Sequence, residues 1–226
     1  MQSEAEAIFE HSDFCYTASN VTLSISPTSR TTRISSPLLS GGALGIGAAL
    51  VSLLHSAGAH VFFSHVLTEP AEALLHDLTP SSSTGQKLHF IHTDVADYAS
   101  NIHLFRTAYE VCGRTDHAVS AAGIGEKGNI FDPELTLEMV QEPPPLSVVD
   151  VNLIGTIYFV RIASVYLRQP VQDDGASNTT RIIPLTVTNK SLTLVSSVAG
   201  FIESPGLFVY QATKHGVLGL MRSLRE

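Results

Sequence analysis

The chain has 226 residues, of which 44% are hydrophobic and 15% are charged, and its formal net charge at pH 7 is −8. This length and this apolar share are typical of one folded α/β domain with a substantial core. The negative charge argues against nucleic acid and anionic membranes as partners. Cys15 and Cys112 form no disulfide framework, and the ten histidines form no metal motif. We therefore expect a cytoplasmic protein that needs no metal.

Residues 1–32 combine acidic side chains with a run rich in serine and threonine, and they lack the apolar centre of a secretory signal. We expect a flexible extension there, followed by a single domain over 33–226. From residue 33 onward, short apolar runs alternate with amphipathic stretches, which predicts a doubly wound parallel sheet in a three-layer αβα fold. The pattern predicts strands at about 34–39, 60–64, 88–92, 117–121 and 192–196, and helices at about 45–57, 70–78, 98–112, 146–168 and 207–225.

The first predicted strand leads into a glycine-rich turn and then into an apolar helix. The turn reads Ser40-Gly41-Gly42-Ala43-Leu44-Gly45-Ile46-Gly47. Because glycine lacks a Cβ, such a turn can bring the N–H groups of a helix N-terminus close to a pyrophosphate. The turn alone is weak evidence, since a methyltransferase could carry a similar one. Pro37, inside the first predicted strand, should remove one hydrogen bond from the sheet at a cost of about 1–3 kcal/mol.

A tyrosine, a lysine and a serine near the end of the chain point to proton transfer. Tyr210 and Lys214 lie four residues apart on a predicted helix, and Ser197 follows the strand before that helix. Residues four apart share one helix face, so the ammonium can lie beside the phenol and favour its ionised form. The serine hydroxyl can hold a carbonyl or alcohol oxygen beside the tyrosine. This set can move a proton while another group moves a hydride.

With the glycine turn, these residues give a chain that resembles the short-chain dehydrogenase/reductase family over residues 38–226. Four further segments support the resemblance in family order: Thr93-Asp94-Val95, Ser120-Ala121-Ala122-Gly123, Val149-Asp150-Val151-Asn152-Leu153-Ile154-Gly155 and Lys214-His215-Gly216-Val217-Leu218-Gly219-Leu220. The resemblance implies a Rossmann fold with strand order 3-2-1-4-5 and a bound NAD or NADP. It also implies hydride transfer between that nucleotide and a secondary alcohol or ketone.

The resemblance also implies a role for each candidate site residue. Tyr210 would be the general acid and base, Lys214 would assist it and bind the nicotinamide ribose, Ser197 would orient the substrate oxygen, and Asn152 would hold a water of the proton relay. The implied nucleotide contacts are Gly41, Leu44, Gly45, Ile46, Gly47, His65, Asp94, Val95, Ala122, Gly123, Tyr210 and Lys214. An expected substrate wall of Phe201, Ile202, Leu207 and Phe208, with residues after Gly123, would favour a substrate with an apolar body.

The chain departs from the family pattern at three further places. His65 stands where NAD-preferring members carry an aspartate, so both NAD and NADP stay possible, and we favour NAD slightly. Residues 169–190 form a polar insertion, which we expect to be a surface loop. The chain ends at Glu226, inside the predicted active-site helix and before the last strands of the family. We therefore expect a truncated member with an exposed sheet edge.

The helix predicted at 146–168 is apolar nearly all round. Its apolar stretch is interrupted by Asp150, Asn152 and Arg161, so we interpret it as a buried helix and not as a membrane span. The excess apolar surface indicates a partner helix. The resemblance implies a homodimer through 146–168 and 207–226, and the alternative is that the N-terminal extension covers this surface.

Three interpretations of function stay open. The first is an active NAD(P)-dependent alcohol dehydrogenase or ketone reductase. The second is a catalytically silent nucleotide-binding or interaction protein, and the third is an unstable fragment without a function of its own. Hydride transfer that is lost in Tyr210→Phe would separate the first from the other two.

Overall fold

The structure is a computed structural model that describes residues 35–79, 88–170 and 190–224. The predicted extension at 1–32 and most of the predicted loop at 169–190 lie outside these ranges. Five strands form one parallel sheet in the order β3-β2-β1-β4-β5. This order and the flanking helices confirm the predicted doubly wound α/β fold.

The elements follow the predicted alternation of strands and helices. The strands are β1 (Pro37–Ser40), β2 (Val61–His65), β3 (Leu88–His92), β4 (His117–Ser120) and β5 (Ser191–Leu194). The helices are α1 (Gly45–Ser56), α2 (Thr68–Leu78), α3 (Tyr98–Cys112), α4 (Ser147–Tyr166) and α5 (Phe208–Ser223). Within α4, residues Asp150–Ile154 form a π-helical stretch.

The side chains of β1 alternate between the two faces of the sheet, and each face has its own core. Leu38 packs in a cluster with Phe105 of α3 and Phe159 of α4, whereas Leu39 packs in a second cluster with Val51 of α1. Successive side chains of a strand point to opposite faces, so a central strand of apolar residues is buried on both sides. The sheet therefore lies between α1 and α2 on one face and α3 and α4 on the other.

The structure corrects the position of Pro37. The sequence pattern places this proline inside a strand that begins at 34, but β1 begins at Pro37 itself. Pro37 pairs in register with His117 of β4, and the register with β2 starts one residue later, at Leu38. Just before it, Ser36 donates its N–H to Asp116 Oδ2 (2.9 Å) and accepts the N–H of Asp116 (3.2 Å). The missing donor therefore falls at the first residue of the strand, where a sheet tolerates proline.

Helix α4 has a buried side and an apolar outer side. By length and composition it could cross a membrane, since it has 20 residues and a mean hydropathy of 1.6, but a core helix of a soluble protein passes the same test. Phe159 and Ala163 are fully buried against the sheet, whereas Ile157 and Val165 remain 38% and 46% exposed. The predicted homodimer through this surface stays a prediction.

Candidate active site

The glycine-rich turn after β1 is so tight that three of its glycines, Gly41, Gly42 and Gly47, have no room for a side chain. A Cβ on Gly47 would collide with the carbonyl oxygen of Gly41, and a Cβ on Gly41 would lie 2.6 Å from Cα of Ala122. Gly41 also has a φ of 71°, in the left-handed region that favours glycine. The turn brings the N-terminus of α1 to the carboxyl end of the sheet, where nucleotides bind in folds of this type.

A cavity of about 490 Å³ lies over this turn. Ten of the predicted nucleotide contacts line it together: Gly41, Leu44, Gly45, Ile46, Gly47, His65, Asp94, Val95, Ala122 and Gly123. They come from the ends of β1, β2, β3 and β4, which meet at one edge of the sheet because the strands are parallel. The residues present and the shape of the turn fit the pyrophosphate and adenosine of a dinucleotide.

His65 ends β2 at the rim of this cavity. The N–H of Leu67 donates to its Nδ1 at 2.9 Å, so Nδ1 is an acceptor and the ring proton of the neutral form lies on Nε2. Burial lowers the pKa of His65 below its ordinary value of 6.5. The imidazole is therefore neutral at pH 7 and adds no positive charge to the cavity.

A second, smaller cavity of about 230 Å³ adjoins the first and contains the predicted proton-transfer residues. Ser197, Tyr210 and Lys214 line it, together with Glu126 and Ile124. Ile124 also lines the larger cavity, so the two cavities share a wall. The structure thus brings together three of the four predicted catalytic side chains beside the candidate nucleotide site.

Lys214 is buried one turn after Tyr210, as the spacing predicts. Lys214 is only 6% exposed, and its Nζ lies 5.4 Å from the centre of the Tyr210 ring. The Nζ donates to the carbonyl oxygen of Val195 at 3.4 Å. Ser196 fixes the same turn of α5 by donating its hydroxyl to the carbonyl of Lys214 at 3.0 Å. The carbonyl of Val195 therefore holds the ammonium beside the Tyr210 ring, and Ser196 fixes the backbone of the same helix turn.

Ser197 follows β5 and begins a short 3-10 turn at Val198–Gly200. Its Oγ accepts the N–H of Ala199 at 3.2 Å, in the manner of a helix N-cap. The residue is 6% exposed and lines the smaller cavity. An Oγ that already accepts from the backbone has its own proton available for an oxygen of a ligand.

Asn152 contacts the loop after β4 instead of lining either cavity. It lies in the π-helical stretch of α4 and is 1% exposed. Its Oδ1 accepts the N–H of Ile124 at 2.8 Å, and its Nδ2 donates to the carbonyl of Ile124 at 2.9 Å and to Thr213 Oγ1 at 3.3 Å. The side chain therefore ties the loop after β4 to α4 and α5. Sequence reasoning predicted a site role for Asn152 but missed this clamp.

Glu126 is a site residue that the sequence reasoning missed. Its Oε1 accepts the N–H of Val209 at 3.2 Å and its Oε2 accepts the N–H of Tyr210 at 2.6 Å. The N-terminus of α5 has no cap from its own side chains, and its first turn contains no acidic residue. Glu126 supplies this cap from the loop after β4, and a carboxylate there also complements the helix dipole. The signal in the sequence was the apolar start of α5, Leu207-Phe208-Val209, which leaves its N–H groups to be capped from elsewhere.

The predicted substrate wall is only partly present. Leu207 lines the smaller cavity, but Phe201, Ile202 and Phe208 do not line it and are 46%, 56% and 40% exposed. Phe208 instead packs edge to face against Phe131, with ring centres 5.0 Å apart. The sequence could place these residues between Ser197 and Tyr210, but it could not set the path of the intervening loop.

Comparisons with known proteins agree with this geometry. The family model described as short chain dehydrogenase matches residues 37–226. The short-chain dehydrogenase/reductase prx4 of Penicillium rubens is 32% identical over 190 residues, which cover 84% of this chain and 48% of that protein. The 5'-hydroxyaverantin dehydrogenase of Dothistroma septosporum is 32% identical over 199 residues, which cover 84% of this chain and 61% of that protein. The chain thus spans about half the length of the first of these curated relatives.

A solved structure shares the fold. The alcohol dehydrogenase of the archaeon Thermococcus sibiricus, complexed with 5-hydroxy-NADP, has a TM-score of 0.65 and 20% identity over 85% of this chain and 71% of that chain. At this level of identity the similarity shows the fold alone.

Proposed function

Because the chain belongs to the short-chain dehydrogenase/reductase family, whose members use NAD(P), we propose that it transfers a hydride between NAD or NADP and a secondary alcohol or ketone with an apolar body. One observation carries the proposal. The cavity lined by ten predicted nucleotide contacts opens directly beside the cavity lined by Ser197, Tyr210 and Lys214. A nucleotide in the first cavity would then have its nicotinamide end close to the proton-transfer residues.

The proposed proton chemistry uses three side chains. Tyr210 would give a proton to the substrate oxygen in reduction and take it back in oxidation. The buried ammonium of Lys214, 5.4 Å from the ring centre, favours the ionised form of the phenol. Ser197 would donate its hydroxyl to the same oxygen and stabilise negative charge that develops there. The nicotinamide, when bound, supplies or accepts the hydride.

The charge of the larger cavity supports NAD over NADP. Asp94 is the only acidic or basic side chain among the described residues that line it, apart from the neutral His65. The 2′-phosphate of NADP would add roughly two negative charges to this cavity, where the described lining residues include no lysine or arginine that could pair with them. We therefore propose that NAD binds more tightly, and that His65→Arg would improve the binding of NADP.

Titration of the purified chain with NADH and with NADPH, followed by nicotinamide fluorescence, tests the nucleotide site. Saturable binding with a lower Kd for NADH is the expected result. His65→Arg should lower the Kd for NADPH by about tenfold, which is about 1.4 kcal/mol, as one added charge-assisted contact provides. Absence of binding to either nucleotide in a chain that unfolds cooperatively would refute the nucleotide site.

Turnover with a small panel of apolar ketones, such as cyclohexanone and 2-tetralone, tests the proton-transfer site. Tyr210→Phe should abolish NADH oxidation while NADH still binds, because the variant removes only the hydroxyl. Tyr158→Phe makes the same change on α4, outside both cavities, and should keep full activity. Full activity in Tyr210→Phe would refute the mechanism. NADH binding without turnover of any ketone would favour the catalytically silent alternative.

A further inference from the structure

Three side chains that the proposed function does not use form a chain of contacts at the opposite edge of the sheet. His60 immediately precedes β2, His89 lies at the start of β3, and Cys112 ends α3. The Sγ of Cys112 lies 3.1 Å from Nδ1 of His60, and Nε2 of His60 lies 2.9 Å from Nε2 of His89. All three residues are partly exposed. The candidate nucleotide cavity lies at the carboxyl ends of the strands, so this cluster is separate from it.

The two short distances require a proton in each contact. When the thiol donates to Nδ1 of His60, the remaining proton of that ring lies on Nε2 and is donated to His89. When His89 donates to His60 instead, the Nδ1 proton of His60 is donated to a thiolate. Shifting one proton along each contact therefore converts the Cys112 thiol into a thiolate without moving a heavy atom.

Aromatic packing holds both imidazoles in place for this exchange. Phe62, which is 1% exposed, stacks on His89 with ring centres 4.7 Å apart and planes 7° apart. The same ring stacks on His60 with centres 5.0 Å apart. A nucleophile, a base and a third group that orients the base is the arrangement that activates thiols in enzymes. Here a core phenylalanine fixes the base and the third group.

We propose that Cys112 is a modification site that reacts with small disulfides by thiol–disulfide exchange. His60 takes the thiol proton, and the Cys112 thiolate attacks one sulfur of the disulfide. A new bond forms between Cys112 Sγ and that sulfur, the original disulfide bond breaks, and the other half leaves as a thiolate. That thiolate takes up the proton, so one thiol is consumed, one thiol is released and the disulfide is the oxidant.

A metal ion does not fit the cluster as well as this exchange does. His60 contacts Cys112 through Nδ1 and His89 through Nε2. Because these two nitrogens point in different directions, Cys112, His60 and His89 cannot all ligate the same ion. Among residues 35–79, 88–170 and 190–224, no group of three or more histidine, cysteine, aspartate or glutamate side chains has the geometry for a metal. The observations therefore favour a reactive thiol.

The rate of mixed-disulfide formation with oxidised glutathione tests the proposal. The full chain carrying Cys15→Ser isolates the reaction of Cys112, and mass spectrometry follows the added glutathione. The same chain unfolded in urea gives the rate of a thiol without the cluster. At pH 6.5 the folded chain should react at least about tenfold faster, because a positioned base typically contributes more than that.

Substitutions of the histidines separate the base from simple exposure of the thiol. His60→Phe keeps a ring that can stack on Phe62 but removes the nitrogens. It should lower the rate to that of the unfolded chain and give it the pH dependence of an ordinary thiol, which reacts about tenfold more slowly for each pH unit below 7. His89→Phe should lower the rate less. Equal rates in the folded and unfolded chains, or an unchanged rate in His60→Phe with an unchanged Tm, would overturn the proposal.

Discussion

The hydrogen bonds of Asn152 predict how much the loop after β4 depends on this one side chain. Asn152→Ala removes three of them. The side chain no longer accepts the N–H of Ile124, and it no longer donates to the carbonyl of Ile124 or to the hydroxyl of Thr213. A buried donor or acceptor that loses its partner costs about 1–3 kcal/mol, and water can reach Ile124 because it is only partly buried. We therefore expect a loss of about 3 kcal/mol in the free energy of unfolding, measured by urea denaturation. For a domain of this size, that corresponds to a fall in Tm of about 6–12 °C.

Asn152→Ala should also weaken nucleotide binding more than a substitution elsewhere that lowers the free energy of unfolding by a similar amount. Gly123 and Ile124 line the larger cavity, and Asn152 bonds the backbone of Ile124. Leu104→Ala is the matched control, since Leu104 is a fully buried residue of α3 that lines neither cavity, and its truncation costs about 2–5 kcal/mol. At a temperature where both variants are folded, Leu104→Ala should bind NADH as the unchanged chain does. A loss of stability below about 1 kcal/mol in Asn152→Ala would refute the clamp, since it would fall short of a single lost buried partner.

Three further predictions concern the turn, the cap and pH. Gly47→Ala should abolish NADH binding in a fluorescence titration, because its Cβ would collide with the carbonyl of Gly41. Glu126→Gln should lower the free energy of unfolding by about 1 kcal/mol in urea denaturation, because it removes the charge at the N-terminus of α5. Burial lowers the pKa of His65 and of His117 below 6.5, so the folded chain binds fewer protons than the unfolded chain. Their contribution to stability is therefore complete above pH 6.5, and stability measured by urea denaturation should decrease as the pH falls through that value towards their folded-state pKa values.

Each of these predictions has a control in the same chain. Gly219→Ala should leave NADH binding unchanged, because a Cβ there meets no atom within 4 Å. Glu134→Gln changes an exposed carboxylate in the loop before α4 and should leave stability unchanged. Replacing His117 by glutamine should reduce the slope of stability between pH 6.5 and 5.5. An equal loss in the free energy of unfolding in Glu126→Gln and Glu134→Gln would contradict the argument for the cap. A free energy of unfolding that rises as the pH falls below 6.5 would contradict the argument for the histidines.

The sheet could be predicted from the sequence because its signals are local. The apolar pairs Leu38-Leu39 and Phe62-Phe63 lie in strands buried on both faces, where period-two alternation is replaced by continuous apolar runs. The start of β1 could not be predicted, because it depends on Asp116. That side chain accepts the N–H of Ser36 and sits 2.7 Å from the guanidinium of Arg114. An interaction across 80 residues leaves no periodic trace in the sequence.

The residues of the candidate site also fall into those that local sequence patterns predict and those that depend on long-range contacts. The turn from Gly41 to Gly47 and the spacing from Tyr210 to Lys214 are short-range patterns, and the structure brings their residues to one edge of the sheet. The contacts of Asn152 and Glu126 cross 28 and 83 residues. A glutamate in a polar loop looks like any solvated glutamate, and only its distance to the N–H groups of α5 distinguishes it.

These two long-range contacts converge on one segment, the loop at 123–126, which joins the two cavities. Asn152 ties Ile124 to α4, and Glu126 ties the same loop to the first turn of α5, which carries Tyr210. Ile124 lines both cavities, so a displacement of the loop changes the nucleotide site and the proton-transfer site together. Because Glu126 accepts the backbone N–H of Tyr210 itself, the position of the proposed acid and base depends on the loop whose residue Ile124 lines the candidate nucleotide cavity. The proposed nucleotide site and the proposed proton donor are therefore coupled through this loop by direct hydrogen bonds.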